Sequence, residues 1–320
     1  MSSQLWAVNS LGGYFYSLNL SEELRETLQP LTKFRQFADV RDASQQGQKH
    51  GDTFTWDVVG NVVTSGGTVV ETNTMPETNF TITQGTLTVV EYGNSVPYSG
   101  KLDALSQWDV KKPVMQSLKN DAVKTFDRAV QTQFNNTRLR VVPIGGTSTT
   151  SLQLFTTGTC TTTNSAAYSS TYHKMVVDLM KERNIPAYLG DDYIAIAWPS
   201  TYRTLKNNME TLHQYTPPGL GLIMNGEIGR YETTRFIEQT NIGHGRLYNN
   251  SAWTTGVSDW IFLFGEDTVM EGVVVPEEIR AKIPTDYGRS KGVAYYALMG
   301  WGIVQTNATD DRIVVWDSAA

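Results

Sequence analysis

One stretch of this chain, residues 113–136, constrains the fold more than any other. Apolar side chains recur there at every fourth position, and they are Val114, Leu118, Ala122, Phe126, Val130 and Phe134. This spacing predicts the apolar face of a helix, which Met115, Val123 and Ala129 would widen. At 1.5 Å per residue the helix would be about 36 Å long. We therefore expect a long core helix that packs on a sheet.

The ends and the outer face of this helix can also be predicted. Pro113 fits the first helical turn, where a missing N–H costs nothing, and Asn136 suits the end. Charged residues are expected to form the outer, solvated face, and they are Lys119, Asp121, Lys124, Asp127 and Arg128. Nothing in this stretch by itself indicates a function.

The composition excludes several classes of protein. The chain has 320 residues and a net charge of −6, whereas a dedicated nucleic-acid-binding protein would carry a basic field. A protein that merely encloses nucleic acid remains compatible with this charge. The single cysteine, Cys160, cannot form an internal disulfide, which favours folding in a reducing cytoplasm. There is no signal-peptide pattern and no run of about eighteen apolar residues, so we expect no membrane span.

The first 50 residues have the pattern of an arm. Aromatic residues are mixed with Gly, Ser and Asn, and a short helix that starts at Ser21 ends at Pro30. Phe34 and Phe37 follow among basic residues. An arm this aromatic should be covered, either by its own body or by a neighbouring subunit.

Residues 51–93 are predicted to form a long hairpin. Phe54 and Trp56 alternate with threonines, which indicates a half-buried strand, and Phe80 begins a second alternating run. The alternation changes phase at Gly85, which suggests a β-bulge. Residues 91–98 are expected to turn the chain. Because two strands without a third are marginal in water, this hairpin must lie on its own domain or on another subunit.

The arm and the hairpin supply the predicted contacts between subunits. The apolar candidates are Phe34, Phe37, Phe54, Trp56, Val62, Val63, Val69 and Val70. The four valines belong to a Gly- and Thr-rich tip at residues 60–79. Elements that reach outward from a subunit make heterologous contacts, which close into rings or shells.

The rest of the chain alternates helices and strands, which describes an α+β body. The pattern predicts a Thr-rich loop with an exposed strand at 147–165, a helix at 169–183 and a buried strand at 192–198. Residues 241–264 are expected to be a loop or surface insertion. Residues 276–280 are expected to form a short turn of helix between strands that close the fold.

Motifs for chemistry are absent from the sequence. The four histidines, His50, His173, His213 and His244, lack the spacing of metal ligands. Cys160 has no neighbouring base. The chain has no phosphate-binding loop and no nucleophile elbow. We therefore predict no catalytic residue, no cofactor and no metal.

Seven short segments carry a resemblance that spans most of the chain. They are LTKFRQFA at 31–38, GDTF at 51–54, YGNSVPYS at 92–99, DYIAIAWP at 192–199, GEIGRYE at 226–232, PEEI at 276–279 and YGR at 287–289. In this order they resemble the major capsid proteins of tailed bacteriophages, in the branch typified by the podovirus N-four. Those proteins have the HK-ninety-seven-type capsid fold.

The resemblance implies an α+β capsid fold in five parts. Residues 1–50 would be the N-terminal arm, and 51–98 the extended E-loop hairpin, which in such shells lies across the adjacent subunit. Residues 99–146 would form the P domain, with the helix described above as its spine. Residues 147–285 would form the A domain, and the strands of 286–320 would return to the P domain.

The resemblance also implies partners and a location. Many copies would form hexamers and pentamers of an icosahedral shell in the virion, assembled in the host cytoplasm, with a portal as a further partner. The shell would enclose double-stranded DNA without sequence-specific binding. The chain lacks the long charged N-terminal extension that some relatives use as a fused scaffold, so a separate scaffolding protein is expected.

Two other classes stay open at this point. A tail or decoration protein of a virion would also be acidic and Thr-rich, but it would not need a long helix between a hairpin and an α+β body. A soluble enzyme would have to use groups of the 147–285 body, and the candidates are Asp191, Asp192, His213, Arg230 and His244. Such an enzyme would need a concave pocket with perturbed carboxylates, and it would leave the hairpin unexplained.

Overall fold

The structure, a computed structural model, describes most of the chain in twelve segments. They are 32–42, 51–60, 67–72, 74–75, 77–106, 109–144, 151–160, 166–213, 229–241, 259–284, 286–305 and 307–318. Several predictions lie outside these residues: the arm before residue 32, the contacts of Val62 and Val63, and the first part of the predicted insertion.

The described residues form four α-helices and thirteen strands. The helices are α1 (Gly100–Leu105), α2 (Lys111–Asn135), α3 (Ser170–Glu182) and α4 (Arg203–His213). The strands are β1 (Asp39–Asp42), β2 (Thr53–Val59), β3 (Ile82–Thr88), β4 (Val90–Ser99), β5 (Leu139–Pro143), β6 (Leu152–Phe155), β7 (Tyr193–Ala197), β8 (Arg230–Tyr231), β9 (Thr234–Glu238), β10 (Asp259–Phe264), β11 (Val269–Ala281), β12 (Ser290–Ile303) and β13 (Ile313–Ser318).

The largest sheet has seven strands in the order β6-β5-β13-β10-β7-β9-β8. Its central strands are buried along their whole length, because helices cover both faces. Alternate side chains therefore enter two different cores. Ile194 and Phe262 face the core that contains α2, whereas Ala195 and Ile261 face the core that contains α3 and α4.

Helix α2, the spine helix, extends over most of the predicted stretch and packs on both sheets. All six residues of its apolar stripe are buried. Near the helix middle, the Phe126 ring contacts Tyr295 and Trp301 of the four-stranded sheet. At its end, the Phe134 ring contacts Phe262 of the seven-stranded sheet. The helix therefore joins the two sheets into one core.

The width of the stripe and the outer face differ from the prediction. Met115 and Val123 are 41% and 45% exposed, so neither widens the stripe as expected. Asp127 was expected on the solvated face, but it is buried. Its helical position lies about 100° from Phe126, at the border of the stripe, and another segment of the chain covers it there.

A four-stranded sheet in the order β1-β11-β12-β4 covers the other part of the spine helix. Strand β12 alternates between its two faces as a strand must. Val293, Tyr295, Ala297, Met299 and Trp301 point toward the spine helix and are buried.

Strands β2 and β3 pair as the predicted hairpin, with Thr53 opposite Thr88 and Val59 opposite Ile82. The register is continuous, so the bulge expected at Gly85 is wrong. The apolar side changes because the two ends of the hairpin have different surroundings. Leu87 is buried against the body, whereas Ile82 at the far end is exposed.

Three local predictions are corrected by the sheets. Residues 91–98 form no turn, because they belong to β4, which pairs with β12 along ten residues. Residues 276–280 are strand and not helix, with Pro276 at a shift of register in β11, where its missing N–H is tolerated. The last part of the predicted insertion, residues 259–264, is the buried strand β10, so its aromatic residues serve the core.

The strands after residue 285 divide between the two sheets. Strand β12 pairs with β4, which precedes α1 and the spine helix in the chain. Strand β13 instead lies between β5 and β10 in the seven-stranded sheet. Long-range pairing of this kind is not visible in the local sequence pattern.

Candidate assembly surface

The far part of the hairpin exposes apolar side chains. Val59 and Ile82 lie opposite each other at the end of the paired strands and are 67% and 58% exposed. Phe80 and, in the tip segment, Val69 and Val70 are exposed as well. Single exposed apolar residues are ordinary, whereas several of them on one hairpin form a candidate interaction surface. We call these five residues the distal apolar group.

The near part of the hairpin lies on its own chain. Trp56 is half-buried, and its Nε1–H donates a hydrogen bond to the Val304 carbonyl oxygen at 3.1 Å. Phe54, the other predicted contact of this strand, is also half-buried. The sequence left open whether the hairpin lies on its own domain or on another subunit. Its near part lies on its own domain.

The two predicted contacts of the arm belong to the body. Phe34 is fully buried, with its ring centroid 5.3 Å from those of Phe134 and Phe262. Phe34 was predicted as an intersubunit contact, but in this subunit its ring lies inside the core of its own chain. Phe37 is half-buried against Tyr188 and Phe264. The two rings are covered, Phe34 fully and Phe37 in part, because they pack in the core between the spine helix and the two sheets.

Asp127 holds this segment on the spine helix. Its Oδ1 accepts hydrogen bonds from the backbone N–H groups of Phe34, at 2.8 Å, and Arg35, at 3.3 Å. Its Oδ2 accepts from the side-chain amides of Gln239 and Asn241. Burial raises the pKa of Asp127, against the opposing effect of these hydrogen bonds. A carboxylate thus satisfies the first N–H groups of a 3₁₀ turn that begins some 90 residues earlier in the chain.

Arg35 joins the same segment to the four-stranded sheet. Its guanidinium pairs with the buried Glu271, with an Nη2–Oε1 distance of 2.8 Å, and also with Glu277. It stands over the Phe126 ring at 5.1 Å from the centroid, which adds a cation–π contact. Residues 32–42 are therefore a fixed part of the body. Sequence reasoning missed this cluster, because its members come from distant segments.

Among the groups weighed for catalysis, Asp192 and Arg230 are engaged in structural contacts, whereas Asp191 is exposed. Asp192 is buried and pairs with Arg230 at 2.6 Å and with Arg235 at 2.8 Å. These contacts join β8 and β9 to the start of β7. The His213 side chain and all of His244 lie outside the described residues.

Two further reactive side chains are buried. The His173 Nδ1 is 2.7 Å from the Tyr168 hydroxyl, and burial lowers the pKa of His173 to about 4. Burial raises the pKa of the Cys160 thiol to about 12, which keeps it from acting as a nucleophile at neutral pH. Burial therefore keeps both groups neutral at neutral pH.

Metal and membrane sites were also sought in the described segments. They hold no group of three or more His, Cys, Asp or Glu side chains placed to bind a metal ion. None of the helices within those segments has the length and apolar character needed to cross a membrane.

No protein-family model matches the sequence, and no curated protein matches it either. Solved structures do match over nearly the whole chain. The capsid structure of cyanophage P-SCSP1u aligns with a TM-score of 0.69 at 14% identity, covering 95% of this chain and 93% of that one. The capsid of Helicobacter pylori bacteriophage KHP30 gives 0.67 at 13% identity, with 96% of each chain covered.

A third match is the capsid of Ralstonia phage GP4, with a TM-score of 0.62 at 14% identity. It covers 100% of this chain and 98% of that one. The mixed α+β capsid fold predicted from the sequence is therefore confirmed. Because the similarity covers the hairpin and both sheets together, the fold is shared as a whole.

Proposed function

We propose that this chain is the major capsid protein of a tailed DNA phage, in the branch typified by the podovirus N-four. Copies assemble into hexamers and pentamers of an icosahedral shell that encloses double-stranded DNA. The observation that carries this proposal is the end-to-end match of the fold to phage capsid subunits, with more than nine-tenths of each chain covered.

The distal apolar group gives this proposal a physical basis. A second copy of the chain would cover Val59, Phe80 and Ile82, which the body of their own subunit leaves exposed. Such contact is heterologous, because the hairpin of one subunit meets the body of the next, and it closes into rings. Stable interfaces of this kind bury on the order of 2,000–5,000 Å², so several elements besides the hairpin would take part.

The remaining partners follow from the same proposal. A separate scaffolding protein directs assembly in the host cytoplasm, and a portal occupies one vertex. The net charge of −6 fits a shell that encloses DNA and does not read its sequence. The chain acts by assembly and carries no catalytic residue.

The first test is the native mass of the purified chain. Analytical ultracentrifugation and negative-stain imaging would be done with and without co-expressed phage proteins. We expect megadalton shells or discrete rings of five and six subunits. A stable monomer or dimer under every condition would contradict the proposal.

A second test concerns the distal apolar group. Phe80→Ser combined with Ile82→Ser removes exposed apolar surface, so the subunit should fold normally while shell yield falls at least tenfold. Met115→Ser is the matched control, because it makes a similar change at an exposed apolar site on the spine helix. Normal shells from the double variant would show that this group is not an interface.

A further inference from the structure

The root of the hairpin rests on glycines of the four-stranded sheet. Near its end, strand β12 contains the run Met299, Gly300, Trp301 and Gly302. Successive residues of a strand point to opposite faces. Met299 and Trp301 therefore enter the core on the spine-helix side, and the two glycines lie on the outer face. Gly272 of β11 is the direct partner of Gly300 in the sheet.

The hairpin backbone lies in the space that these glycines leave. A Cβ on Gly300 would be 2.4 Å from the Thr88 carbonyl oxygen, and one on Gly302 would be 2.8 Å from the Thr86 carbonyl oxygen. A Cβ on Gly272 would be 3.1 Å from Leu87 Cδ1. We call Gly272, Gly300 and Gly302 the glycine seat. Its glycines permit a backbone-to-backbone approach that no side chain would allow.

A second contact, made by Trp56, restricts rotation of the hairpin relative to the glycine seat. Trp56 and Gly85 are cross-strand partners, and a Cβ on Gly85 would lie 2.3 Å from the Trp56 indole. The indole thus lies across Gly85, and its Nε1–H binds the Val304 carbonyl oxygen just beyond β12. The Trp56 ring occupies the space that a side chain at position 85 would need, which explains why Gly85 is a glycine.

We propose that the glycine seat sets the direction in which the hairpin leaves the body, and that shell assembly depends on this direction. The proposal rests on the proposed capsid function. It makes Gly272, Gly300 and Gly302 positioning residues, since they would act through the hairpin and touch no partner themselves.

A lever argument gives the expected size of the effect. An alanine at Gly300 would push the Thr88 backbone outward by about 1 Å to reach ordinary contact, and the seat extends over about three residues, roughly 7 Å. The hairpin would tilt by about 8° as a result. Over paired strands about 20 Å long, its far end would then move by about 3 Å. Protein interfaces pack as closely as protein interiors, so a shift of this size disrupts them.

The three glycines predict a graded series. Gly300→Ala meets backbone at the shortest distance and should displace the hairpin most, and Gly302→Ala should follow. Gly272→Ala meets the methyl groups of Leu87, which can adjust, so its effect should be smallest. Gly67→Ala is the matched control, because a Cβ there would have no atom within 4 Å.

The experiment measures hairpin direction in unassembled full-length subunits. Spin labels are attached at Thr83→Cys on the hairpin and Lys181→Cys on α3, both exposed positions, while the buried Cys160 stays unlabelled. Pulsed electron–electron double resonance gives the distribution of distances between the two labels. We expect a shift of about 3 Å or an equivalent broadening for Gly300→Ala, with smaller changes down the series and none for Gly67→Ala.

Shell yield is then measured for each variant, and it should fall in the same order, by at least tenfold for Gly300→Ala. Unchanged label distances would refute the claim that the glycine seat sets hairpin direction. Shell yields that do not fall in the order of the distance changes would refute the claim that assembly depends on that direction. If Gly300→Ala fails to fold, Gly302→Ala and Gly272→Ala provide the test, judged by the same label distances and shell yields. A wild-type chain that forms no shells contradicts the proposed function instead, and the label distances still decide whether the seat sets direction.

Discussion

The spine helix and the hairpin are both long elements with a clear apolar pattern, yet they use it differently. The helix buries all six residues of its stripe between two sheets of its own chain. The hairpin buries Leu87 at its root and exposes Val59 and Ile82 at its far end. An apolar pattern thus predicts that a surface will be covered, but it does not tell which chain covers it. Four predictions test this difference.

The largest effect is expected in the spine helix. Phe134→Ala would remove a fully buried ring from contacts with Phe34 and Phe262, and it should lower the free energy of unfolding by about 3–5 kcal/mol. Denaturant unfolding of the subunit measures this. Met115→Ala, on the exposed face of the same helix, should change stability by less than about 0.5 kcal/mol. Equal losses for both variants would refute the assigned packing.

The hairpin root should behave like the core. Leu87 is buried against Gly272, so Leu87→Ala should cost about 2–4 kcal/mol. The same unfolding experiment provides the value. A loss below 0.5 kcal/mol would mean that the root is not held by the body, and the contrast between root and far end would disappear.

Acid should weaken the body through His173, and residues 51–89 of the hairpin contain no histidine. His173 has a pKa of about 4 when folded, below its usual 6.5, so it binds a proton more readily when unfolded. Its stabilising effect is complete above pH 6.5 and is lost as the pH falls toward 4. Between pH 7 and pH 4.5 this should remove roughly 2–3 kcal/mol.

The variant His173→Gln isolates this contribution. Glutamine at this position does not titrate, so the variant's stability should fall less than that of the wild type between pH 7 and pH 4.5. Unfolding curves at both pH values give the comparison. An identical decrease in both proteins would assign the acid sensitivity to other groups.

The smallest effect on stability is expected at the far end of the hairpin. Ile82→Ala removes a side chain that is already exposed, so the free energy of unfolding should change by less than about 0.5 kcal/mol. Shell yield should nevertheless fall, if a second copy covers this position. A large loss of stability in the isolated subunit would show that the residue packs within its own chain.

Much of the fold could be predicted where the evidence is local. The stripe from Val114 to Phe134 fixed the spine helix, and the alternation around Trp56 indicated the hairpin strand. Strand β10 was missed because glycine and asparagine precede it and the expected loop was extended too far. Arm residue Phe34 was predicted as an interface residue because the sequence shows that an aromatic ring needs cover without showing where that cover lies.

The sequence by itself determined which faces of helix and strand are apolar, since that depends on a period of 3.6 or 2 residues. The tertiary structure decided that Asp127 is buried, that β13 enters the larger sheet and that Gly300 lies beneath Thr88. Each of these facts depends on segments that are far apart in the chain, such as Phe34 and Asp127. Periodicity reports on a residue's neighbours in sequence, whereas burial and close approach depend on what packs against it.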